Sequence, residues 1–455
     1  MGSQLPTADR IVRSGHAVVL GSSMAGLLAA RVLAEHFERV TIVERDQLPD
    51  APEFRSGVPQ ARHAHVLLMR GRVILEQLFP GICRELVSAG GLEFDMTRDL
   101  AWLTPEGWGA TFSSGILAVS ASRALLEWSV RQRLLRRPEV RILDGVVARG
   151  LVPTSDRTGV AGVRLYSNRE DRFAVDLVVD ASGRGSRLPE WLSWLGYPAP
   201  RETTIDASLG YASRIYRRPR NPGSWWKCVF VQAAPPDHPK GGGLFPIEGD
   251  RWLVSLFGGG GHYPPTDESG FHEFARSLRT PLIAGLIADA EPLSPLVGTR
   301  ATANRLRHYD ELTEIPDGVV ALGDAVCAFN PVYAQGMTVA AIGAETLNRC
   351  LTEHRGRNGA TLEGFARYFQ RQLARAIATP WQLATAEDYR YIGVKGPPAH
   401  WSVRLMHRYV DRVVALSTEQ IDVRARLMRV LGLMAPPSLL FGPGIAGPVL
   451  RRAVA

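Results

Sequence analysis

The 455-residue sequence contains little lysine, little cysteine and no long uninterrupted apolar run. Its 53 basic residues include only three lysines, Lys227, Lys240 and Lys395, so 50 are arginine. Guanidinium groups bind phosphates and carboxylates bidentately, so this bias fits either such contacts or GC-rich coding. The formal net charge is +8. No block of five basic residues and no zinc-finger spacing accompanies that charge, so we do not expect nucleic-acid binding.

The four cysteines, Cys83, Cys228, Cys327 and Cys350, are far apart and form no CxxC pair. This spacing predicts reduced, buried thiols in a cytoplasmic protein rather than a disulfide framework. The first 13 residues lack the apolar core of a secretory signal. The most apolar long window, residues 430–450, contains four prolines, which argue against a membrane-spanning helix. The chain length predicts two to three folding units.

The N-terminal part has the pattern of a βαβ unit. Residues 17–20 and 40–43 are short apolar runs typical of strands buried in a parallel sheet, and residues 25–36 have helical periodicity. The turn after the first strand is Gly21-Ser22-Ser23-Met24-Ala25-Gly26. It resembles a dinucleotide fingerprint in which Ser23 replaces the central glycine, and Glu44 ends the second strand, where a carboxylate can accept hydrogen bonds from a ribose.

Further elements follow along the chain. The pattern predicts a helix over residues 64–78 and another over 123–135, and it predicts strands at 140–143 and 146–147 that return to the first sheet. Residues 176–180 and 319–322 are two more buried strands. Residues 200–300 are β-rich, which favours an antiparallel layer. A long helix begins at Gly336, and the chain after residue 362 is helical and rich in arginine.

Two later motifs complete the pattern. They are Asp180-Ala181-Ser182-Gly183-Arg184-Gly185-Ser186-Arg187, and Gly323-Asp324-Ala325 followed by Pro331 and Gly336-Met337. With the N-terminal turn, they resemble the FAD-dependent flavoprotein monooxygenases of the p-hydroxybenzoate hydroxylase superfamily. The resemblance implies an α/β fold in which a Rossmann-type FAD-binding domain carries an inserted antiparallel β-sheet substrate domain and a helical C-terminal region. The predicted boundaries are 1–200 with 301–360 for the FAD-binding domain, 201–300 for the substrate domain and 361–455 for the helical region.

The resemblance also implies site residues. The residues expected to bind FAD are Gly21, Ser22, Ser23, Met24, Ala25, Gly26, Glu44, Arg45, Arg62, Arg123, Val147, Ser182, Gly183, Gly323, Asp324, Gly336 and Met337. Those expected near the flavin are Pro331, Tyr333 and Gln335. Those expected at the substrate are the aromatic residues Tyr211, Phe245 and Trp252. No metal site is predicted, because His63 and His65 have no nearby carboxylate.

The sequence departs from the family pattern at two places. The usual Gly-Ala-Asp-Gly is replaced by Asp180-Ala181-Ser182-Gly183, which displaces the carboxylate by two residues and leaves the docking site of the reductant, NADPH or NADH, open. Cys327 stands where a histidine is common, and we interpret it as a small buried apolar residue.

A narrower resemblance concerns the reaction. Gly57-Val58-Pro59-Gln60-Ala61-Arg62-His63-Ala64-His65 and Ser122-Arg123-Ala124-Leu125-Leu126 are similar to segments of the polyene epoxidases of polyether biosynthesis. This similarity implies oxygen transfer from O₂ to an alkene in a small apolar, polyene or polyketide substrate. The sequence contains no clear acid–base constellation, which favours epoxidation over phenol hydroxylation.

Other functions stay open at this stage: an aromatic hydroxylase, an FAD-dependent dehydrogenase or reductase, and a non-enzymatic flavin or NAD(P) sensor. A flavin halogenase is disfavoured because no lysine precedes Lys227 and the Trp-x-Trp-x-Ile-Pro stretch is absent. A Baeyer–Villiger enzyme would need a second Rossmann fingerprint. Residues 401–455 are expected to form a helical layer packed on the FAD-binding domain, with weak contact to a membrane surface as the alternative. The oligomeric state stays open.

Overall fold

The structure is a computed structural model that describes residues 15–167, 170–219, 224–359 and 361–451. The strands, in chain order, are β1 (His16–Leu20), β2 (Arg39–Val43), β3 (Val66–Leu67), β4 (Leu92–Asp95), β5 (Leu100–Thr104), β6 (Gly107–Trp108), β7 (Leu117–Ser120), β8 (Val140–Leu143), β9 (Val147–Pro153), β10 (Val160–Tyr166), β11 (Glu170–Ala174), β12 (Leu177–Asp180), β13 (Glu202–Ile205), β14 (Gly210–Arg217), β15 (Cys228–Val231), β16 (Lys240–Ile247), β17 (Arg251–Gly258), β18 (Val297–Thr299), β19 (Asn304–Arg307), β20 (Val319–Ala321) and β21 (Cys327–Ala328).

The helices are α1 (Met24–His36), α2 (Met69–Leu78), α3 (Ile82–Ser88), α4 (Arg123–Leu134), α5 (Leu188–Trp194), α6 (Glu268–Arg276), α7 (Leu282–Ala288), α8 (Gly336–Asn358), α9 (Phe365–Asp388), α10 (Trp401–Glu419), α11 (Ile421–Leu431) and α12 (Pro443–Arg451). No helix in these described segments is long and apolar enough to cross a membrane.

A parallel sheet of order β20-β12-β1-β2-β8 forms the first layer. Its central strand β1 is buried along its whole length and pairs with β2 and β12 in parallel register. Helices α1 and α8 pack against each other beside it, and their apolar side chains share one core with the sheet. Because parallel strands end at the same edge, the turns after β1, β2, β12 and β20 meet there.

A seven-stranded sheet of order β18-β14-β17-β16-β15-β5-β6 forms the second layer. It is antiparallel except where β15 pairs with β5. Strands β5 and β6 come from residues 100–108, so the layer is not built from residues 201–300 alone. Helices α6 and α7 cover one face, and the C-terminal helices pack over the other. The four cysteines are free and buried, as predicted.

The structure corrects two predicted elements. The helix expected from residue 64 begins at Met69, because residues 59–62 form a 3₁₀ turn and the Ala64 N–H is held by Ser255 Oγ at 2.9 Å. The strand expected at residues 146–147 does not join the parallel sheet. Instead β9 pairs with β10 in a separate sheet with β11.

Candidate functional site

The turn between β1 and α1 leaves no room for larger side chains. Gly21 has a φ of +97°, and a Cβ there would lie 2.7 Å from the Ala181 carbonyl oxygen. A Cβ on Gly26 would lie 1.8 Å from the Gly21 carbonyl oxygen. Both glycines therefore let the backbone turn and let α1 approach β1 closely. No side chain caps α1, so its first N–H groups can bind an anion.

Ser23, which stands at the central glycine position, is tied to α4. Its hydroxyl donates to Glu127 Oε1 and accepts a hydrogen bond from Arg123 Nη2 at 2.8 Å. Arg123 Nε also donates to Glu127 Oε1 at 2.7 Å. The structure therefore brings two predicted cofactor residues, Ser23 and Arg123, together at the N-terminus of α1.

Glu44 lies buried at the end of β2. Its Oε2 accepts hydrogen bonds from the Ser22 N–H and hydroxyl, both at 2.8 Å, and lies 3.1 Å from Arg55 Nη1. Burial alone would lower the pKa of Arg55, but the charges of Glu127, Glu44 and Asp46 raise it above its ordinary value. A buried cluster of alternating charge therefore surrounds the place expected for the adenosine ribose.

Two of the arginines predicted to bind the cofactor, Arg45 and Arg62, lie outside the buried charged cluster. Arg62 is exposed, with its guanidinium 5.2 Å from the centre of the Phe54 ring, and Arg45 is also exposed. Arg55, which was not predicted from the sequence, occupies the buried position beside Glu44. Val147, at the start of β9, is half-buried.

Asp324 follows β20 and lies beside the same turn. Gly323 has a φ of +63°, and a Cβ there would lie 2.6 Å from Ala25 Cβ, so only glycine permits this close approach. Within the described part of the chain, the Asp324 carboxylate accepts no hydrogen bond from a protein donor. Burial raises its pKa, while Arg184, Arg123 and Arg305 oppose that effect. Asp324 is thus an acceptor suited to a ligand hydroxyl.

The carboxylate of Asp180 forms its hydrogen bonds within its own turn. It is buried and accepts hydrogen bonds from the Ser182 N–H at 3.0 Å and from the hydroxyls of Ser182 and Ser186. Ser182 is exposed and Gly183 half-buried. The displaced carboxylate therefore stabilises the turn, and the docking site of a nicotinamide reductant stays a prediction.

The N-terminus of α8 contains polar atoms without partners. Among the described residues, Gln335 Oε1 and Thr338 Oγ1 are buried and make no hydrogen bond, and no side chain caps the helix. Ala334, just before it, has a φ of +52°, and the space around Gly336 is open. Met337 is buried. Such orphaned polar atoms indicate a polar ligand at this helix end.

A cavity of about 330 Å³ lies between the second sheet, the segment before α8 and the C-terminal helices. Tyr211, Phe245, Pro331, Tyr333 and Gln335, all predicted near flavin or substrate, line it.

Trp252 does not line this cavity. Side chains alternate along β17, so Ser255 and Phe257 face the cavity while Trp252 points to the opposite face, into the core under α6 and α7. The predicted substrate residue Trp252 is therefore corrected to Phe257.

A buried carboxylate that sequence reasoning missed lies behind Tyr333. Asp388 Oδ1 accepts the Tyr333 hydroxyl at 2.5 Å and Asn330 Nδ2 at 3.3 Å, and its Oδ2 accepts Asn304 Nδ2 at 2.6 Å. The Tyr211 hydroxyl donates to Asn330 Oδ1 at 2.9 Å. Burial raises the pKa of Asp388 to about 7, although these hydrogen bonds oppose it. The structure thus brings together a buried carboxylate and a tyrosine that the sequence did not indicate as an acid–base pair.

His63 also lines the cavity but is held neutral. Its Nδ1 lies 2.8 Å from Ser213 Oγ, and burial lowers its pKa to about 4. His65 is half-buried, and burial lowers its pKa to about 3. Both imidazoles are therefore uncharged near neutral pH.

No protein-family model matches the sequence. Protein Rv3254 of Mycobacterium tuberculosis is 34% identical over 453 residues, which cover 97% of this chain and 93% of that protein. Kynurenine 3-monooxygenase of Salinispora tropica is 24% identical over 373 residues, covering 75% and 74%.

Three solved structures are similar over most of the chain. They are the flavin-dependent brominase Bmp2 (TM-score 0.67, 14% identity, 97% of this chain and 98% of that one), a flavoprotein/dehydrogenase from Cytophaga hutchinsonii (0.68, 15%, 97% and 99%) and PqsL, a probable FAD-dependent monooxygenase from Pseudomonas aeruginosa (0.61, 16%, 83% and 98%). These similarities confirm the predicted fold class, that of the FAD-dependent monooxygenases and halogenases.

Proposed function

The chain belongs to the family of Protein Rv3254, and we propose that it is an FAD-dependent monooxygenase that transfers one oxygen atom from O₂ to an apolar substrate. One observation carries this proposal. An unpartnered polar atom at the start of α8, Gln335 Oε1, lies at the wall of an apolar cavity, because Gln335 also lines that cavity. A polar cofactor ring and an apolar substrate would therefore meet there.

The residues present fit FAD. The uncapped N-terminus of α1, with Arg123 beside it, suits the pyrophosphate, and Glu44 suits the adenosine ribose. Asp324 offers an unpaired acceptor to the ribityl hydroxyls, and the N-terminus of α8 offers N–H groups and a favourable dipole to the flavin ring. When bound, FAD supplies the redox chemistry with O₂, with NADPH or NADH as the proposed electron donor.

Asp388 and Tyr333 supply a proton store at the cavity wall. Below about pH 7 Asp388 is protonated, and its proton needs an acceptor. The Tyr333 oxygen, 2.5 Å away, can accept it and turn its own hydrogen toward the cavity that the tyrosine lines. The pair can thus deliver a proton to a reacting group without admitting water.

We propose alkene epoxidation in secondary-metabolite, polyketide-type biosynthesis as the specific reaction. The largely aromatic and aliphatic lining excludes water and provides an apolar wall for a polyene. Aromatic hydroxylation is the second candidate, and the Asp388–Tyr333 pair fits it above about pH 7, where ionised Asp388 can take up, through Tyr333, the proton that a phenol loses. Halogenation, the chemistry named for Bmp2, is disfavoured because the chain has no lysine before Lys227.

We also propose a cytoplasmic enzyme whose apolar substrate enters beside α10, in weak contact with a membrane surface. The side chains of Trp401 and Leu405 are exposed on this helix, and the adjacent Met406 lines the cavity. Arg404 and Arg408 on the same helix are exposed and would favour an anionic surface.

The test is made on purified protein. Visible flavin absorbance, NADPH oxidation that depends on O₂, and incorporation of isotopically labelled oxygen into product support the monooxygenase. A polyene converted to an epoxide supports the specific reaction, whereas conversion of phenols alone supports the hydroxylase. Protein without flavin, or NADPH oxidation independent of O₂, contradicts the proposal.

A further inference from the structure

A row of aromatic rings crosses the sheet along the cavity. Tyr211, Phe257, Phe230 and Trp102 follow one another with ring centres 5.9, 6.0 and 6.2 Å apart, and all four line the cavity. Tyr211 is at the end near Asn330 and the segment before α8. Trp102 is on β5, near the other edge of the sheet.

A buried arginine lies beyond the far end of this row. The Arg424 guanidinium is 5.4 Å from the centre of the Trp102 ring, and a Cβ on Gly109 would lie 1.6 Å from its Nη1. Its side chain is fully buried, and none of its three nitrogens has a hydrogen-bond partner in the described part of the chain. Burial lowers its pKa to about 10, and no acidic group of the described segments opposes this effect.

Arg424 does not itself line the cavity but lies directly behind Trp102, which does. Leu427, Met428 and Leu431, which follow it at helical spacing on α11, all line the cavity. A second donor lies on the other side of Trp102: Gln232 accepts the Trp102 Nε1 hydrogen bond at 3.1 Å through its Oε1, and it lines the cavity. Its amide nitrogen has no hydrogen-bond partner among the described residues.

We propose that the cavity binds an elongated apolar substrate that carries a carboxylate, with the carboxylate at the Trp102 end, where it reaches the Arg424 guanidinium, and the oxidised end near Tyr333. This inference rests on the proposed function and names its substrate class. A buried guanidinium without a counter-charge is costly, and its planar fork matches a carboxylate bidentately. The apolar row between the two ends fits the remainder of such a molecule.

The experiment uses the FAD-loaded protein and two probes of equal chain length, decanoate with a charged head group and decanamide with a neutral one, titrated by calorimetry. We expect wild-type protein to bind decanoate at least about tenfold more tightly than decanamide, since a hydrogen bond to a charged group contributes a factor of about 10 to 100. Arg424→Met should remove that preference and change decanamide affinity less than about twofold. Arg429→Met, an exposed arginine on the same helix, is the matched control.

Several results would overturn the inference: equal affinity of the wild type for both probes, no binding of either probe, or an unchanged decanoate preference in Arg424→Met. The comparison of decanoate and decanamide binding uses the wild-type protein alone, so it tests the inference even where a variant folds poorly. Flavin absorbance is recorded on every sample. Loss of flavin binding in the wild type contradicts the proposed function, whereas intact flavin without a decanoate preference contradicts only the carboxylate site.

Discussion

Replacing Arg424 by methionine should stabilise the ligand-free protein. The pKa of this guanidinium is lowered from its ordinary 12.5 to about 10 by burial, which corresponds to about 3 kcal/mol against the charged form. The substitution loses the contact with the Trp102 ring, about 1 kcal/mol, and leaves a small cavity, also about 1 kcal/mol. We therefore expect a net gain of about 1 kcal/mol.

Thermal unfolding followed by scanning calorimetry measures this gain. A gain of about 1 kcal/mol raises Tm by roughly 2 to 4 °C for a unit of 150 to 250 residues. The sign of the pH dependence follows from the lowered pKa. The native state carries the cost at all pH values below about 10, and the cost shrinks only as pH rises through that value. The difference between variant and wild type should therefore be constant between about pH 6 and pH 9.

A bound carboxylate should act on this stability difference in the opposite direction. Saturating decanoate should stabilise the wild type more than Arg424→Met, because a ligand stabilises the state that binds it. Arg429→Met should leave Tm unchanged in both conditions, since that side chain is exposed. A variant less stable than the wild type in the absence of ligand would refute the reasoning, because it would mean that Arg424 has a native partner that offsets its burial.

Three further predictions concern the rest of the site. Gly26→Ala should abolish flavin binding, because its Cβ would meet the Gly21 carbonyl oxygen at 1.8 Å; retained flavin absorbance in the folded variant would contradict this. Asp388→Asn should lower kcat about 100-fold if Asp388 delivers a proton. The wild-type kcat should fall as pH rises through about 7, and this fall should disappear in the variant. An unchanged pH profile would exclude this role. Phe257→Leu should change KM for the substrate, whereas Trp252→Phe should change Tm and leave KM unaltered, because only Phe257 lines the cavity.

The raised pKa of Asp388 also predicts how the stability of the protein changes with pH. The folded pKa of Asp388, about 7, lies above its ordinary value of 3.8, so the native state holds the proton more tightly than the unfolded chain. Stability should therefore fall as pH rises from about 4 to about 7 and then level off. Asp388→Asn, which cannot ionise, should remove this component from the curve of Tm against pH.

The features that sequence reasoning predicted are those fixed by neighbours along the chain. The clash that requires glycine at position 26 is with the Gly21 carbonyl oxygen, five residues earlier in the same turn. The long helix from Gly336 and the helical C-terminal region are likewise encoded by local periodicity. Alternation also places Trp252 and Phe257 on opposite faces of β17. Because both faces of that sheet are buried, the pattern could not indicate which one borders the cavity.

The features that it missed depend on distant contacts. Arg55 and Arg62 are seven residues apart in one loop, and only the packing of that loop against Glu44 and Glu127 decides which one is buried. Asp388 receives its hydrogen bonds from residues 304, 330 and 333, more than 50 positions away. The one local signal at the charged cluster is the spacing of Arg123 and Glu127, one helical turn apart on α4.

Asp388 and Arg424 have one physical property in common that links them to function. Each is an ionisable group buried with its pKa shifted toward the neutral form, so each lowers the stability of the ligand-free fold. A core position under no functional demand would be better filled by an apolar side chain. The two groups lie toward opposite ends of the same aromatic row, one behind Tyr333 and the other beyond Trp102. That placement is what a cavity needs if it fixes a charged group at one end of its substrate and supplies a proton at the other.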